Sequence, residues 1–140
     1  EVEEKLINFY MSVIKNLEKK RKNKNIDLIN NITKYFSENY ANPNISSDYI
    51  AEILGISPQY FSKLFKEVTG KNYSEYLTEL RLDKARKLLK DTNLSIDEVA
   101  KKTGFSNQSY FANKFKKQYG VTPNQYRSDN IIICNEENIQ

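Results

Sequence analysis

Apolar residues recur along this chain every three or four positions, which is the spacing of one face of an α-helix. Near the start, a 3-4-3 spacing typical of a short coiled-coil seam is formed by Ile7, Tyr10, Ile14 and Leu17. The alternation expected of strands is almost absent, and only 4 Gly and 3 Pro interrupt the chain. The pattern therefore predicts an all-α protein whose first helix covers residues 1–18.

A basic run, "KKRKNKN" from Lys19 to Asn25, follows this helix. Runs of like charge are usually solvated, so we interpret it as an exposed hinge, with phosphate contact as the alternative. Beyond it, Ile29, Ile32 and Phe36 line one face of a further helix that is expected to end before "ANPN". Residues 1–25 are thus predicted to be a linker or signalling helix and a basic hinge.

The rest of the chain carries clear signals for helix starts. A hydroxyl side chain accepts the free amides of a first helical turn, and Pro suits the first position. Such signals stand at Ser46 or Ser47, Ser57-Pro58, Ser106 and Thr122-Pro123. Ser95 and Glu98 have the spacing of a capping box. A longer helix is predicted from about Ser74 to Lys90, with an inner face of Leu77, Leu80, Ala85, Leu88 and Leu89.

The second half of the chain repeats the first. Four residues recur 49 positions later: Ala51, Gly55, Ser57 and Gln59 become Ala100, Gly104, Ser106 and Gln108. After a one-residue insertion, Tyr60, Phe61, Phe65, Lys66, Gly70 and Tyr76 recur 50 positions later as Tyr110, Phe111, Phe115, Lys116, Gly120 and Tyr126. Each half reads helix, glycine turn, helix, which is the pattern of a helix-turn-helix unit.

Charge and composition narrow the function. The chain of 140 residues has a net charge of +4, and residues 46–127 hold 14 Lys/Arg and 9 Asp/Glu, hence +5 on the repeated segment. There is no His and one Cys, Cys134, which excludes the usual hydrolytic triads and nearly excludes a zinc site. We therefore expect no enzyme, metal or cofactor. With one Cys no disulfide can form within the chain, which fits the cytoplasm. Neither an apolar run of membrane-spanning length nor a signal peptide is recognised.

Residues from about 26 to 127 resemble the DNA-binding domain of the AraC/XylS family of bacterial transcription regulators. The stretches that carry the resemblance are "IAEILGISPQYFSKLFKEVTGKNYSEYL" and "VAKKTGFSNQSYFANKFKKQYGVTPNQYR". The resemblance implies a seven-helix, homeodomain-like domain over 26–128, with two helix-turn-helix units joined by a long helix, followed by a tail over 129–140. Each second helix would enter a major groove, and the long helix could set them about 34 Å apart, one turn of DNA.

The resemblance also implies which residues face DNA. Base-reading positions fall on Gln59, Ser62, Lys63, Gln108, Ser109, Ala112 and Asn113. Phosphate contacts are expected from the helix starts at Ser57 and Ser106 and from Lys66, Lys114, Lys116, Lys117 and Arg127. Because these faces are rich in amides and poor in Arg, we expect sites that lean toward A·T pairs. The aromatic side chains Phe61, Phe65, Phe111, Phe115, Tyr110 and Tyr126 are expected in the core or at its rim. Arg81, Lys84 and Lys87 are interpreted as solvated charge, with phosphate contact as the alternative.

The expected partner is double-stranded DNA, with RNA polymerase as a further partner. A homodimer is expected through residues 1–18 or through a sensing domain outside this chain. The alternative function is a helical protein-interaction module without DNA readout, which explains the amphipathic helices but not the matched glycine turns.

Overall fold

The structure is a computed structural model that describes residues 1–137, with side chains described as far as Asn130. Within this range it contains seven helices and no strand. They are α1 (Val2–Asn39), α2 (Ser47–Leu54), α3 (Pro58–Thr69), α4 (Tyr73–Asp91), α5 (Ile96–Lys102), α6 (Gln108–Tyr119) and α7 (Pro123–Glu137). The all-α prediction is confirmed. No described helix is both long and apolar enough to cross a membrane.

The first helix differs from the prediction. The run 19–25 was expected to be a hinge, but α1 continues through it without a break from Val2 to Asn39. Lys and Arg are good helix formers, and no Gly or Pro precedes Pro43, so nothing in the run stops a helix. The linker helix and the first helix of the domain are therefore one rod.

Most of the other helices begin at residues that were predicted as N-caps. Ser46 caps α2 by accepting a hydrogen bond from the amide of Tyr49. The Ser95 hydroxyl accepts the Glu98 amide at 3.1 Å, and the Glu98 carboxylate accepts the Ser95 amide at 2.8 Å, which completes the predicted capping box. Thr122 opens α7 through a similar exchange with Gln125.

Two hydrophobic cores lie at the two ends of α4. The first packs α1, α2 and α3 around residues that include Phe36, Phe61 and Phe65. The second packs α5, α6 and α7 around residues that include Phe111 and Phe115. We call α2 with α3 unit 1 and α5 with α6 unit 2.

Helix α4 belongs to both cores, and this changes its inner face. Leu77 is buried in the first core, whereas Leu82, Ala85 and Leu89 are buried in the second. Leu82 was not predicted, because a single stripe along α4 was assumed. Leu77 and Leu82 are five positions apart and so point to different sides of the helix, as two separate cores require.

Between the two cores, Arg81 joins α4 to the end of α1. Its Nε donates to the carbonyl oxygen of Tyr40 and its Nη2 to that of Asn42, each at 2.8 Å. Burial lowers the pKa of the Arg81 guanidinium, which nevertheless stays charged. The interpretation of Arg81 as solvated charge is therefore wrong, since the side chain satisfies carbonyls at the end of a helix.

Gly104 completes this contact, which we call the Arg81 junction. Gly104 lies at φ +92°, and a Cβ built there would stand 2.5 Å from the Tyr40 oxygen and 2.8 Å from Arg81 Nε. Only a glycine lets the turn of unit 2 approach so closely. The junction ties the turn of unit 2 to the loop that follows α1.

Candidate nucleic-acid interface

In unit 1, α3 starts at a cap that leaves its first turn open to solvent. The Ser57 hydroxyl accepts the Tyr60 amide at 3.1 Å, and Pro58 occupies the first turn. Phe61, Leu64 and Phe65 are buried against the first core, as predicted. The burial of this apolar side fixes which side of α3 faces outward.

The outward side of α3 is polar and basic. Gln59, Lys63 and Lys66 are exposed, and Ser62 is half-buried. These positions are spaced i, i+3, i+4 and i+7, so they form one face. The predicted base-reading residues of unit 1 thus lie together, with Lys66 at the end of the same face.

In unit 2, the cap of α6 is Asn107, and the prediction of Ser106 is wrong. The Asn107 Oδ1 accepts the Tyr110 amide at 2.7 Å, and α6 begins at Gln108. The inserted residue of the repeat therefore lies before the cap, at Phe105 or Ser106. The Phe105 ring is buried and packs against Tyr110 and Phe111.

With the cap at Asn107, each position of α3 corresponds to the position 50 residues later in α6. Gln59, Ser62, Lys63 and Lys66 correspond to Ser109, Ala112, Asn113 and Lys116. Ser109, Asn113 and Lys116 are exposed, and Ala112 is half-buried, as its counterpart Ser62 is. Gln108 is exposed in the first turn and corresponds to Pro58, so it adds an amide that unit 1 lacks.

Lys114 lies off this face. It corresponds to Leu64, which is buried in unit 1. The Lys114 ammonium stands over the ring of Tyr110, 5.5 Å from its centroid. The offset of 50 residues was the signal that could have revealed this position.

The two tyrosines that were expected in the core or at its rim differ in their burial. Tyr126 packs against Phe115 with ring centroids 5.7 Å apart, as predicted. Tyr110 is 47% exposed and so lies at the rim, the other of the two places predicted for it. Its ring covers Phe105 and carries Lys114 at the edge of the outward face.

Arg127 serves the fold instead of facing solvent freely. Its Nε donates to the Leu89 carbonyl at 3.2 Å and its Nη2 to the Thr92 carbonyl at 3.4 Å, at the end of α4. A cation at a helix C-terminus also meets the negative end of the helix dipole. Arg127 thus anchors α7 to α4, as Arg81 anchors α4 to α1.

The remaining lysines of the outward faces stay exposed. The ion pairs within the described residues use Lys71, Arg86, Lys87 and Lys101, and none of them uses Lys63, Lys66, Lys116 or Lys117. Their charges are therefore available to an anionic partner. In the described part of the chain, no group of three or more Cys, Asp or Glu side chains could hold a metal ion.

Comparison with known proteins gives the family. A family model described as a helix-turn-helix domain matches residues 50–129. The chain is 37% identical over 103 residues to the transcriptional regulatory protein YesN of Bacillus subtilis (strain 168), covering 71% of this chain and 28% of YesN. It is 36% identical over 99 residues to the xylose operon regulatory protein of Escherichia coli (strain K12), covering 71% of this chain and 25% of that protein. The chain thus spans only about a quarter of the length of these curated relatives.

Solved structures agree with this likeness. The C-terminal domain of the response regulator AraT from Geobacillus stearothermophilus superposes with a TM-score of 0.69 at 36% identity, covering 72% of this chain and 84% of that one. The C-terminal domain of the response regulator yesN from Fusobacterium nucleatum gives 0.66 at 39%, covering 72% and 95%. The DNA-binding domain of AdpA, solved with a target DNA, gives 0.68 at 25%, covering 72% and 90%.

Proposed function

Because this chain belongs to the AraC-type helix-turn-helix family, we propose that it is the DNA-binding module of a bacterial transcription regulator. In this proposal α3 and α6 enter successive major grooves on one side of double-stranded DNA. It binds a specific sequence and carries out no catalysis. A module that reads chromosomal DNA would act in the bacterial cytoplasm.

The observation that carries the proposal is the matched pair of outward faces. Positions 59, 62, 63 and 66 of α3 and positions 109, 112, 113 and 116 of α6 have the same spacing and similar exposure. Buried aromatic rings hold the opposite side of each helix in its own core. A helical adaptor has no need of two matching faces. On DNA, by contrast, the major groove recurs on the same side of the duplex after each helical turn, so two matching helices can each enter it.

Specific side chains would read bases. Gln59 and Asn113 can pair with adenine N6 and N7, and Lys63 can donate to guanine O6 and N7. The small side chains of Ser62, Ser109 and Ala112 would let each helix approach the base edges closely. Gln108, in the first turn of α6, would add one more amide near the groove.

Phosphate contacts would surround these positions. Lys66, Lys116 and Lys117 are exposed near the last turns of α3 and α6. The capped starts at Ser57 and Asn107 would offer backbone amides to phosphate oxygens. Arg127 and Lys114 are left out of this set, because the first donates to carbonyls of the fold and the second lies beside Tyr110.

A titration of the purified chain against a labelled random-sequence duplex, followed by fluorescence anisotropy across a salt series, tests the proposal. We expect a log–log slope of about −4 to −7, since roughly 5–8 neutralised phosphates would release counterions. Loss of Lys66 and Lys116 together should make the slope shallower by about 2. Lys34→Ala is the control for loss of an exposed lysine. Lys34 is exposed on α1, two positions from the buried residues Ile32 and Phe36, and therefore lies on the side of α1 away from the core. No binding at low salt would refute the proposal.

Contact with RNA polymerase stays a prediction, because an activator and a repressor can share this module. The homodimer through residues 1–18 likewise stays a prediction.

A further inference from the structure

Residues 2–24 of α1 lie outside both cores. Every residue from 1 to 24 is exposed, and the first buried residue of the helix is Ile29. The exposed segment carries large apolar side chains: Val2, Leu6, Ile7, Phe9, Tyr10, Met11, Val13, Ile14 and Leu17. A contiguous apolar surface of this kind marks an interaction site on a soluble protein.

One seam of this surface reads the same in both directions. The seam consists of Glu3, Ile7, Tyr10, Ile14, Leu17 and Arg21, at a spacing of 4-3-4-3-4. Its four central members are 48% to 61% exposed. An acid stands at one end and a base at the other. A second copy running in the opposite direction therefore meets this seam layer by layer.

In that arrangement, Ile7 faces the partner's Leu17, and Tyr10 faces the partner's Ile14. Glu3 then faces the partner's Arg21, and the same pair forms again at the other end. The acidic start of the chain, Glu1, Glu3 and Glu4, comes to lie beside the partner's basic run 19–24. A parallel pair would instead stack Glu3 on the partner's Glu3 and the basic run on itself, and like charges at such positions destabilise a pair.

We propose that residues 2–21 of α1 form an antiparallel coiled coil with a second copy of this chain. Val13 and Met11 each meet their own counterpart beside the seam and add apolar contact. Glu4 beside the partner's Glu18 is the one like-charge contact of this register. Because the interface is smaller than a standard one, we expect a dissociation constant on the order of 10 µM. The proposal does not depend on DNA binding.

Sedimentation equilibrium of the 140-residue chain without DNA tests it. Glu3→Lys or Arg21→Glu alone should weaken the dimer about tenfold, since each places like charges at both ends. The double variant should return to within about threefold of the original chain, because the charges are exchanged but still opposite. In a parallel pair the double variant restores nothing, and that result would overturn the register.

Two further variants separate the seam from general effects. Ile14→Gln keeps a good helix former but removes a central layer, so the dimer should be lost while circular dichroism stays that of a folded domain. Lys15→Glu changes charge on the polar side of the helix and should leave the dissociation constant within about twofold. A chain that stays monomeric up to about 1 mM, far above the expected constant, would refute the proposal.

Spin labels give the orientation directly. With Cys134→Ser to remove the native thiol, a label at Val2→Cys should lie about 30 Å from its counterpart along an antiparallel pair, at ~1.5 Å per residue. A parallel pair would bring the two labels within about 10 Å of each other along neighbouring axes. Double electron–electron resonance spectroscopy measures the distance between the two labels and so decides between the two orientations. A distance within about 10 Å would contradict the proposal.

Discussion

In unit 1 the turn glycine, Gly55, stands at φ +68° with nothing within 4 Å of the position where a Cβ would be. In unit 2 the corresponding Gly104 stands at φ +92° with the Tyr40 carbonyl at 2.5 Å from that position. One sequence pattern therefore meets two different requirements. Unit 1 needs only a left-handed turn, whereas unit 2 needs that turn and a close approach to the other half of the molecule.

Helices α3 and α6 are held in place by different contacts. Helix α4 carries one core at each end, and the Arg81 junction fixes the turn of unit 2 against the end of α1. Rigid joining of two modules stabilises a bound geometry, because less freedom is lost when DNA is bound.

The largest effect is expected at the turn glycines. Gly104→Ala should lower the free energy of unfolding by about 3 kcal/mol or more, since it combines left-handed strain with overlap against a backbone oxygen. Gly55→Ala should lower it by about 1–2 kcal/mol, because only the strain is present. Urea unfolding followed by circular dichroism measures both. Equal losses would show that the close contact at Gly104 does not distinguish the units.

The two anchoring arginines should differ next. Arg81→Met removes two hydrogen bonds of 2.8 Å from a charged donor and should cost about 2–3 kcal/mol of unfolding free energy. Arg127→Met removes longer bonds of 3.2 and 3.4 Å and should cost about 1 kcal/mol. The control Lys87→Met loses only an exposed ion pair, which is worth less than about 1 kcal/mol. If Arg127→Met cost more than Arg81→Met, the junction would not be the stronger anchor.

The outward faces should behave alike when they are probed with DNA. Lys63→Ala and Asn113→Ala occupy corresponding positions, and each should weaken binding to a selected site by about 1–2 kcal/mol, with relaxed preference in its own half-site. Lys116→Ala should weaken binding to all sequences and reduce the salt slope by about 1. Anisotropy titrations against single-base variants of the site measure this. Loss of preference in the same half-site for both variants would contradict one groove per unit.

The smallest effects concern the caps and sharpen the register of unit 2. Ser57→Ala and Asn107→Ala should each cost about 1 kcal/mol of unfolding free energy, because each removes the acceptor of a first-turn amide. Ser106→Ala should change it by less than about 0.5 kcal/mol, as an exposed residue outside the cap. Thermal and urea unfolding give the values. A larger loss for Ser106→Ala than for Asn107→Ala would return the cap to Ser106.

Sequence patterns predicted what local chemistry determines. Ser46, Ser57 and the Ser95–Glu98 box were found because a cap depends on residues three positions apart. The aromatic core positions of α3 and α6 followed from helical spacing, and the corresponding outward faces followed from the same spacing. The assignment of these faces to DNA bases came from family resemblance, and it stays a prediction.

Tertiary contacts account for what the sequence did not reveal. The roles of Arg81 and Arg127 depend on carbonyls 41 and 38 residues away, which no local pattern indicates. Asn107 was not predicted as the cap because Ser106 matched the repeat, and the hydrogen bond from the Tyr110 amide to Asn107 shows that the cap lies one residue later. The hinge at 19–25 was inferred from charge alone, although its residues favour a helix. The side chain of Cys134 lies outside the described residues.

The central claim is that one chain reads two successive major grooves. Interference footprinting on a selected site tests it most directly, with 7-deazapurine substitution to remove the N7 acceptor and deoxyuridine to remove the thymine methyl group. The account predicts two clusters of interference on one side of the duplex, centred about 10–10.5 base pairs apart. Asn113→Ala should erase contacts in one cluster only. A single cluster, or clusters on opposite sides of the duplex, would contradict the account.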